Sequence, residues 1–510
     1  METQVASPAT GSSFDVVVLG AGFAGIGTAI QLKKNGIHSF RMFERAAEVG
    51  GTWRDNTYPG AACDVPSHVY SFSFELNPDW SHQFSGWAEI QAYLVHCVDT
   101  YDLHPHLQLR TEIVEARFDE AAGRWSLTTD AGDVVTARVV ISGVGGLVDP
   151  AYPDLKGLGE FGGEIFHTAR WNHECDLAGK TVAVVGTGAS AVQVVPSIAP
   201  EVARLSVFQR TAAWVMPKRD RRYSERFKQR FRRHPRLQRL FRWFLYGMSE
   251  LIGPAIILDA PRLSRFFERQ SLRHLERSVR DPELRRKLTP GFQFGCKRIL
   301  ISDDYWATFE RENVELVTAG IEAVHERGIR TKDGRDHPVD AIVLATGFAL
   351  GLASAPFPIT GRGGRTLDEA WAGGAQAYKG MTVSGFPNWF ILMGPNTGPG
   401  HTSVLVYTEA QIQYAIQAIR TMAAENVRWF DVKQEVQDAY NEGLQQRMPY
   451  TSWSSGCNSW YLSDGGQNNA LFPGLASEYV LRARRFDPME YERADFRGWT
   501  GGRPAQRAKA

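Results

Sequence analysis

Two stretches of this chain follow one plan, and the plan leaves few folds open: an apolar strand, a glycine turn, a helix, a second strand, and one polar residue at a set distance. In the first, residues 14–19 (FDVVVL) enter Gly20-Ala21-Gly22-Phe23-Ala24-Gly25, followed by a helical run over 26–34 and a strand over 39–43 that ends at Glu44. In the second, residues 181–185 enter Gly186-Thr187-Gly188-Ala189-Ser190-Ala191, followed by a helix over 191–198 and a strand over 204–208 that ends in Gln209-Arg210-Thr211. Such a turn bends tightly at its first glycine, brings bare backbone to a pyrophosphate at its second, and lets helix press on strand at its third. The expected fold class is α/β, with two Rossmann-like dinucleotide-binding domains. A glycine turn without a ligand is the plainer alternative, and the acid in register weakens it.

The two units differ in the sign of one charge. Glu44 lies 24 residues after Gly20, and Arg210 lies 24 residues after Gly186. A carboxylate accepts hydrogen bonds from both hydroxyls of an adenosine ribose and repels a phosphorylated one, whereas a guanidinium beside the hydroxyl of Thr211 favours a 2′-phosphate. FAD is therefore expected at the first site and NADPH at the second.

A chain of 510 residues has room for more than one core. Residues 14–150 with 340–490 are expected to form the FAD domain and 151–339 the NADP domain, with a helical insertion over 215–290 and tails at 1–13 and 491–510. The 57 basic and 56 acidic residues leave a net charge of +1, which argues against a nucleic-acid partner. Five scattered cysteines, with no Cys-x-x-Cys pair and no zinc-like cluster, fit a reducing cytosol and predict no metal site. The start shows no basic leader with an apolar run, so a cytoplasmic location is expected.

Several stretches read less clearly. Paired glycines in Gly50-Gly51-Thr52-Trp53 suit a loop beside a flat ring, and Asp64, among apolar neighbours, is either solvent-exposed or holds a cation. Lys297-Arg298 is by itself an ordinary surface pair. Between residues 218 and 242 there are twelve Lys or Arg against two acids, followed by an apolar run over 243–258 too short to span a bilayer. A solvated basic face on a helical insertion is the plain reading; contact of 218–258 with an anionic membrane surface, or an entrance for greasy substrates, is the sharper one. Oligomeric state is not legible.

Between the two units lies Phe161-Gly162-Gly163-Glu164-Ile165-Phe166-His167-Thr168-Ala169-Arg170-Trp171. Its pattern, Phe-x-Gly-x-x-x-His-Thr-x-x-Trp, arises by chance on the order of 10⁻⁴ times in such a chain, against roughly half a time for a bare Gly-x-Gly-x-x-Gly. With this stretch between two dinucleotide units, the chain closely resembles the flavin-dependent Baeyer–Villiger monooxygenases, whose fingerprint it matches at Phe161, Gly163, His167, Thr168 and Trp171; Asn172 departs from the commoner Pro or Asp.

The resemblance implies roles. Gly20, Gly22, Gly25 and Glu44 would hold FAD, with Thr52, Trp53, Arg54, Asp55, Asp64 and Tyr70 beside the flavin. Gly186, Thr187, Gly188, Ala189, Ser190, Ala191, Arg210, Thr211 and Lys297 would grip NADPH. Arg298 would be the catalytic arginine, in contact with the cofactors, and Asp64 would aim it. His167 and Trp171 would link domain motion to the reaction, and Trp460 would close over the nicotinamide. The implied reaction takes a ketone and O2 to an ester or lactone by way of a C4a-peroxyflavin. Oxygenation of sulfides or amines is the alternative within the class, and a non-catalytic FAD-binding redox sensor or membrane-docking protein the alternative outside it.

Overall fold

Apolar, β-branched runs without alternation belong in the middle of parallel sheets covered on both faces, and both glycine-turn units take that place. In the computed structural model, whose described residues are 11–349, 356–457, 461 and 466–495, Ser13–Leu19 lies between Phe40–Phe43 and Val134–Ser142, parallel to both. Leu107–Gln108 extends this sheet on one side, and the antiparallel strands Arg124–Thr129 and Ile113–Asp119 extend it on the other. Trp389–Ile391 comes back to pair with Val134–Ser142, and Ile359–Thr360 pairs at the far edge. Val16, Val17 and Val18 are wholly buried, and each such side chain contributes roughly 1.5–3 kcal/mol by leaving water.

The second sheet is parallel throughout. Its order is Val314–Val317, Arg204–Phe208, Thr181–Val185, Ala341–Leu344, Glu164–His167. The α/β architecture with two Rossmann-like units is as expected, but one boundary moves. Ala341–Leu344, expected in the FAD domain, pairs with Thr181–Val185 on one side and Glu164–His167 on the other, so it completes the second sheet.

The tails are shorter than expected. Ser13 already belongs to the first strand, and Gly11 donates to the carbonyl of Val134. Tyr491–Asp495 is an antiparallel strand on Val427–Val432, with Tyr491 buried. Residues 1–10 and 496–510 lie outside the described set.

The insertion is helical, in four segments: Glu225–Arg233, Pro235–Ile257, Pro261–Ser278 and Pro282–Leu288. Proline at the first helical position starts three of them, where a missing N–H costs nothing. The basic helices dock on the loop after the first glycine unit. The rings of Tyr223, Phe227, Phe231 and Phe241 surround His68 at 5.2–6.1 Å. Arg242 donates to the carbonyls of His68, Val69 and Ser71.

Burial first, and the Arg242 charge second, push the His68 imidazole down to about 4 from 6.5. The folded state keeps this ring neutral over a range in which the unfolded chain takes up a proton, so stability is full above pH 6.5 and falls as pH drops toward 4. We expect His68 to account for about 2 kcal/mol of the stability lost between pH 7 and pH 5. His68→Leu should flatten the slope of Tm against pH by that share, leaving the part due to His167, which burial lowers in the same way. An unchanged slope would show that His68 charges freely in the folded protein.

Candidate active site

The first glycine turn is built against the sheet end. A Cβ on Gly25 would lie 1.8 Å from the carbonyl oxygen of Gly20, so no larger residue fits where this helix crosses its strand. The amide of Ala21 donates to Glu44 Oε2 at 2.9 Å, while Glu44 Oε1 accepts from Ala46 N at 3.0 Å and from Arg54 at 2.9 Å. An ionised carboxylate has about four lone-pair sites, so Glu44 keeps capacity for a ribose hydroxyl. Helix Phe23–Lys34 begins at Gly22 with no side-chain cap and no acid in its first turn, leaving amide donors for a phosphate group. Gly51 stands against Gly22, where a Cβ would come within 3.2 Å of the Gly22 Cα, so two stretches of bare backbone meet here. These features fit the pyrophosphate and ribose of FAD.

Helix Thr52–Asp55 follows. Arg54 ties Glu44 to Asp55, which it meets at 2.8 Å. Trp53 Nε1 donates to the Tyr70 hydroxyl at 3.1 Å, and the Tyr70 ring meets Phe23 edge-on at 5.1 Å. The helix that carries Thr52, Trp53, Arg54 and Asp55, together with Tyr70, is thus brought to the first turn.

In the second unit Gly186 has φ of 119°, and a Cβ there would lie 2.3 Å from the carbonyl oxygen of Ala345. The Thr187 hydroxyl donates to the carbonyl of Thr211 at 2.8 Å, tying the turn, which runs on through Gly188 and Ala189, to the end of the next strand. Ser190 precedes helix Ala191–Ile198 and makes no side-chain cap, which again leaves amide donors open. Lys297 lies near enough to Arg210 that burial first, and then that neighbouring charge, lower its pKa. Among the described residues neither has a carboxylate partner. Two cations held together against their repulsion fit a doubly charged 2′-phosphate.

Asp64, on the cleft wall that faces Val192 and Gln193 of the second unit, pairs with Arg298. Arg298 donates to Asp64 Oδ2 from its terminal nitrogen at 2.5 Å and from Nε at 3.1 Å. Asp64 therefore holds a cation, the second of its two readings. The carboxylate raises the Arg298 pKa further, so this guanidinium is a permanent charge. Its side chain keeps 42 % of its surface open, which leaves it accessible to a ligand in the cleft. Tyr461 is buried beside the pair; burial pushes its hydroxyl up to about 12 and Arg298 opposes that rise.

Several contacts here had no signal in the sequence. Tyr58 donates to Gln193 Oε1 at 2.7 Å, and Gln193 Nε2 donates to the carbonyl of Ala62 at 2.9 Å. A helix of the second unit thereby holds the loop that carries Asp64, beside a cleft of about 470 Å³ lined in part by Asp64, Gln193, Lys218 and Asp303. Cys296 and Cys457 form a disulfide, with Cα atoms 6.2 Å apart and a separation of 161 positions in the chain. That removes the argument that the scatter of the five cysteines made for a reducing compartment; Cys63, Cys97 and Cys175 are free. The disulfide fastens the Arg298 loop to the segment leading to Tyr461. Among the described residues no helix is long and apolar enough to cross a membrane, and no cluster of metal-ligating side chains is present.

The fingerprint lies elsewhere. Gly163 and Phe161 lead into the edge strand Glu164–His167, where a Cβ on Gly163 would meet the carbonyl oxygen of Asp340 at 2.4 Å. His167 and Thr168 are buried, His167 Nδ1 accepts from Ala169 N at 3.0 Å, and Trp171 packs on Phe166 at 4.9 Å. Tyr152 and Phe348 flank the His167 ring at 5.8 and 6.1 Å. Those two residues belong to the two connections between the sheets, which run side by side: Pro150 bridges Phe348, and the Thr346 hydroxyl donates to the carbonyl of Ala151. Trp460 lies outside the described residues.

Two dinucleotide folds facing one cleft with a fixed cation define a two-cofactor oxidoreductase. The family model described as flavin-binding monooxygenase-like matches residues 14–244. A Baeyer–Villiger monooxygenase of Pseudomonas aeruginosa is 46 % identical over 96 % of this chain and 93 % of its own length, and one of Streptomyces coelicolor is 44 % identical over 94 % and 92 %. A solved structure of an oxidised steroid monooxygenase bound to NADP is similar with a TM-score of 0.84, at 32 % identity over 92 % of this chain and 97 % of that one. The chain belongs to the Baeyer–Villiger monooxygenase family.

Proposed function

We propose that this enzyme inserts one atom of O2 beside a ketone carbonyl, giving an ester or lactone, while NADPH is oxidised and the second oxygen atom leaves as water. The observation that carries the reading is Arg298, paired with Asp64, whose carboxylate lines the cleft beside the helix of the second unit. FAD, bound at the first turn, supplies the activation of oxygen. Negative charge must build up at the ketone oxygen during insertion, and a fixed cation that cannot lose its proton stabilises it without reorganisation. Asp64 orients the guanidinium, Arg210 and Lys297 hold the 2′-phosphate of NADPH, and Glu44 holds the adenosine ribose of FAD. His167 packs against both connections between the sheets, so we assign it and Trp171 to the hinge that couples domain movement to turnover.

The test is direct. Purified, yellow protein should consume NADPH faster when a ketone is added and should yield a product one oxygen heavier. Absence of oxygen incorporation across linear, cyclic, aryl and steroid ketones, with sulfides and amines oxidised instead, would replace this reading with heteroatom oxygenation.

A further inference from the structure

Helix Pro235–Ile257 turns its polar anchors inward and its large apolar side chains outward. Gln238, Gly253, Ala255 and Ile257 are buried on the body of the protein. Arg242 reaches the backbone of residues 68–71, and Glu250 accepts from His401 and from the amide and hydroxyl of Ser477. At 100° per residue, Leu240, Phe244, Met248 and Leu251 fall within about 80° of one another on the side away from Gln238, Arg242 and Gly253, and Trp243 lies at the flank of that arc. Trp243 is 67 % exposed, Phe244 61 % and Leu251 75 %. Among the described residues, nine of the sixteen exposed large apolar side chains lie between residues 240 and 266, the last of them, Leu258, Leu263 and Phe266, in the turn and on the next helix. Scattered surface hydrophobics need no explanation; a concentration of this kind does.

The charge around it has one sign. Arg236 and Arg239 are exposed at the start of the apolar arc, and Arg262, Arg265 and Arg269 are exposed around Leu263 and Phe266. The acids between residues 226 and 269 are Glu250, turned inward, Asp259, which accepts from Gln293, and Glu268, half-buried, which accepts from the amide of Phe294. With a net charge of +1 for the whole chain, this cationic rim is local.

We infer that the outer face of residues 236–269 rests on a membrane surface rich in anionic lipids, with Trp243, Phe244 and Leu251 entering the acyl boundary and the arginines meeting headgroup phosphates. A second copy fits less well, because a two-fold interface would bring the same arginine rim to both sides. The anchoring of the helix by Arg242 and Glu250 makes the surface preformed. The inner side of its last turn packs Ile257 with Trp453 and Tyr461, next to Arg298. If the substrate is an apolar ketone, which rests on the proposed function, it meets the enzyme at the wall of its own site.

The FAD-loaded full chain is floated with vesicles of phosphatidylcholine alone and with roughly 30 % phosphatidylglycerol. It should float with the anionic vesicles only, and release with salt. A Trp243→Ser, Phe244→Ser, Leu251→Ser variant should lose about tenfold or more of that partition, and an Arg236→Gln, Arg239→Gln, Arg262→Gln, Arg265→Gln variant should lose both binding and its salt dependence. All seven side chains are exposed, so flavin content and soluble ketone turnover should match the parent. An unbound parent, or variants that bind as it does, overturns the inference; so does a concentration-dependent dimer that the serine variant dissolves, which would make the occupant a second copy. Ketone turnover in solution is read separately, so failure here leaves the proposed activity standing.

Discussion

Replacing Arg298 with Ala is expected to lower ketone conversion by about three decades while NADPH continues to be oxidised. A unit charge roughly 4 Å from developing negative charge, at an effective dielectric near 20, is worth about 4 kcal/mol. Realised mainly in the transition state, that is about three powers of ten in rate. The dielectric is one suited to a partly open site, in keeping with the exposure of the guanidinium. Because Asp64 raises the Arg298 pKa, the loss should be the same at every working pH. Arg298→Lys keeps a charge but gives up the two bonds to Asp64 Oδ2, and should retain an intermediate rate. Asp64→Asn leaves the cation and loosens its aim, at a cost of about one to two decades. Product by mass spectrometry and NADPH by absorbance are followed together. If ketone conversion in Arg298→Ala stays within tenfold of the parent, or if flavin is lost from the protein, the cation does not act on the reacting oxygen.

The features read in advance are those that local patterning controls. The runs 181–185 and 204–208 are strands with those same bounds, because stretches of five residues are too short to offer a helical period. Glu44 and Arg210 sit where a fixed count after each turn puts them, since strand, turn and helix lengths are set by the crossover itself. What the sequence did not disclose is which distant segment completes each piece. Ala341–Leu344 reads as a strand from its own letters, but its place between Thr181–Val185 and Glu164–His167 depends on a crossover that no local pattern records. The pairing of Cys296 with Cys457 is of the same kind, as is Gln193 reaching the loop at Ala62. Asp64 shows the limit within a single residue. Its neighbours leave exposure and cation binding both open, and only the return of Arg298 across the cleft decides between them.

The nucleotide preference makes the sharpest test of that long-range assembly, because Arg210 and Lys297 come from different elements and meet only in the folded chain. A charge-assisted hydrogen bond to phosphate contributes roughly 1.5–3 kcal/mol. Arg210→Ala should therefore raise KM for NADPH by about tenfold to a hundredfold, and the double variant with Lys297→Ala by about a thousandfold, with KM for NADH changing by less than about threefold. Lys297→Ala alone carries a second, independent signal. In the parent burial first, and the Arg210 charge second, lower the Lys297 pKa; bound phosphate should offset both by favouring the charged amine, so NADPH binding by the parent should take up a fraction of a proton at pH 9–10, and the variant should not. Isothermal titration in two buffers of different ionisation enthalpy measures this uptake directly. Parallel losses for NADPH and NADH would mean that the two cations support the fold of the second unit. A selective loss without proton linkage would leave Arg210 as the phosphate ligand and return Lys297 to the protein surface.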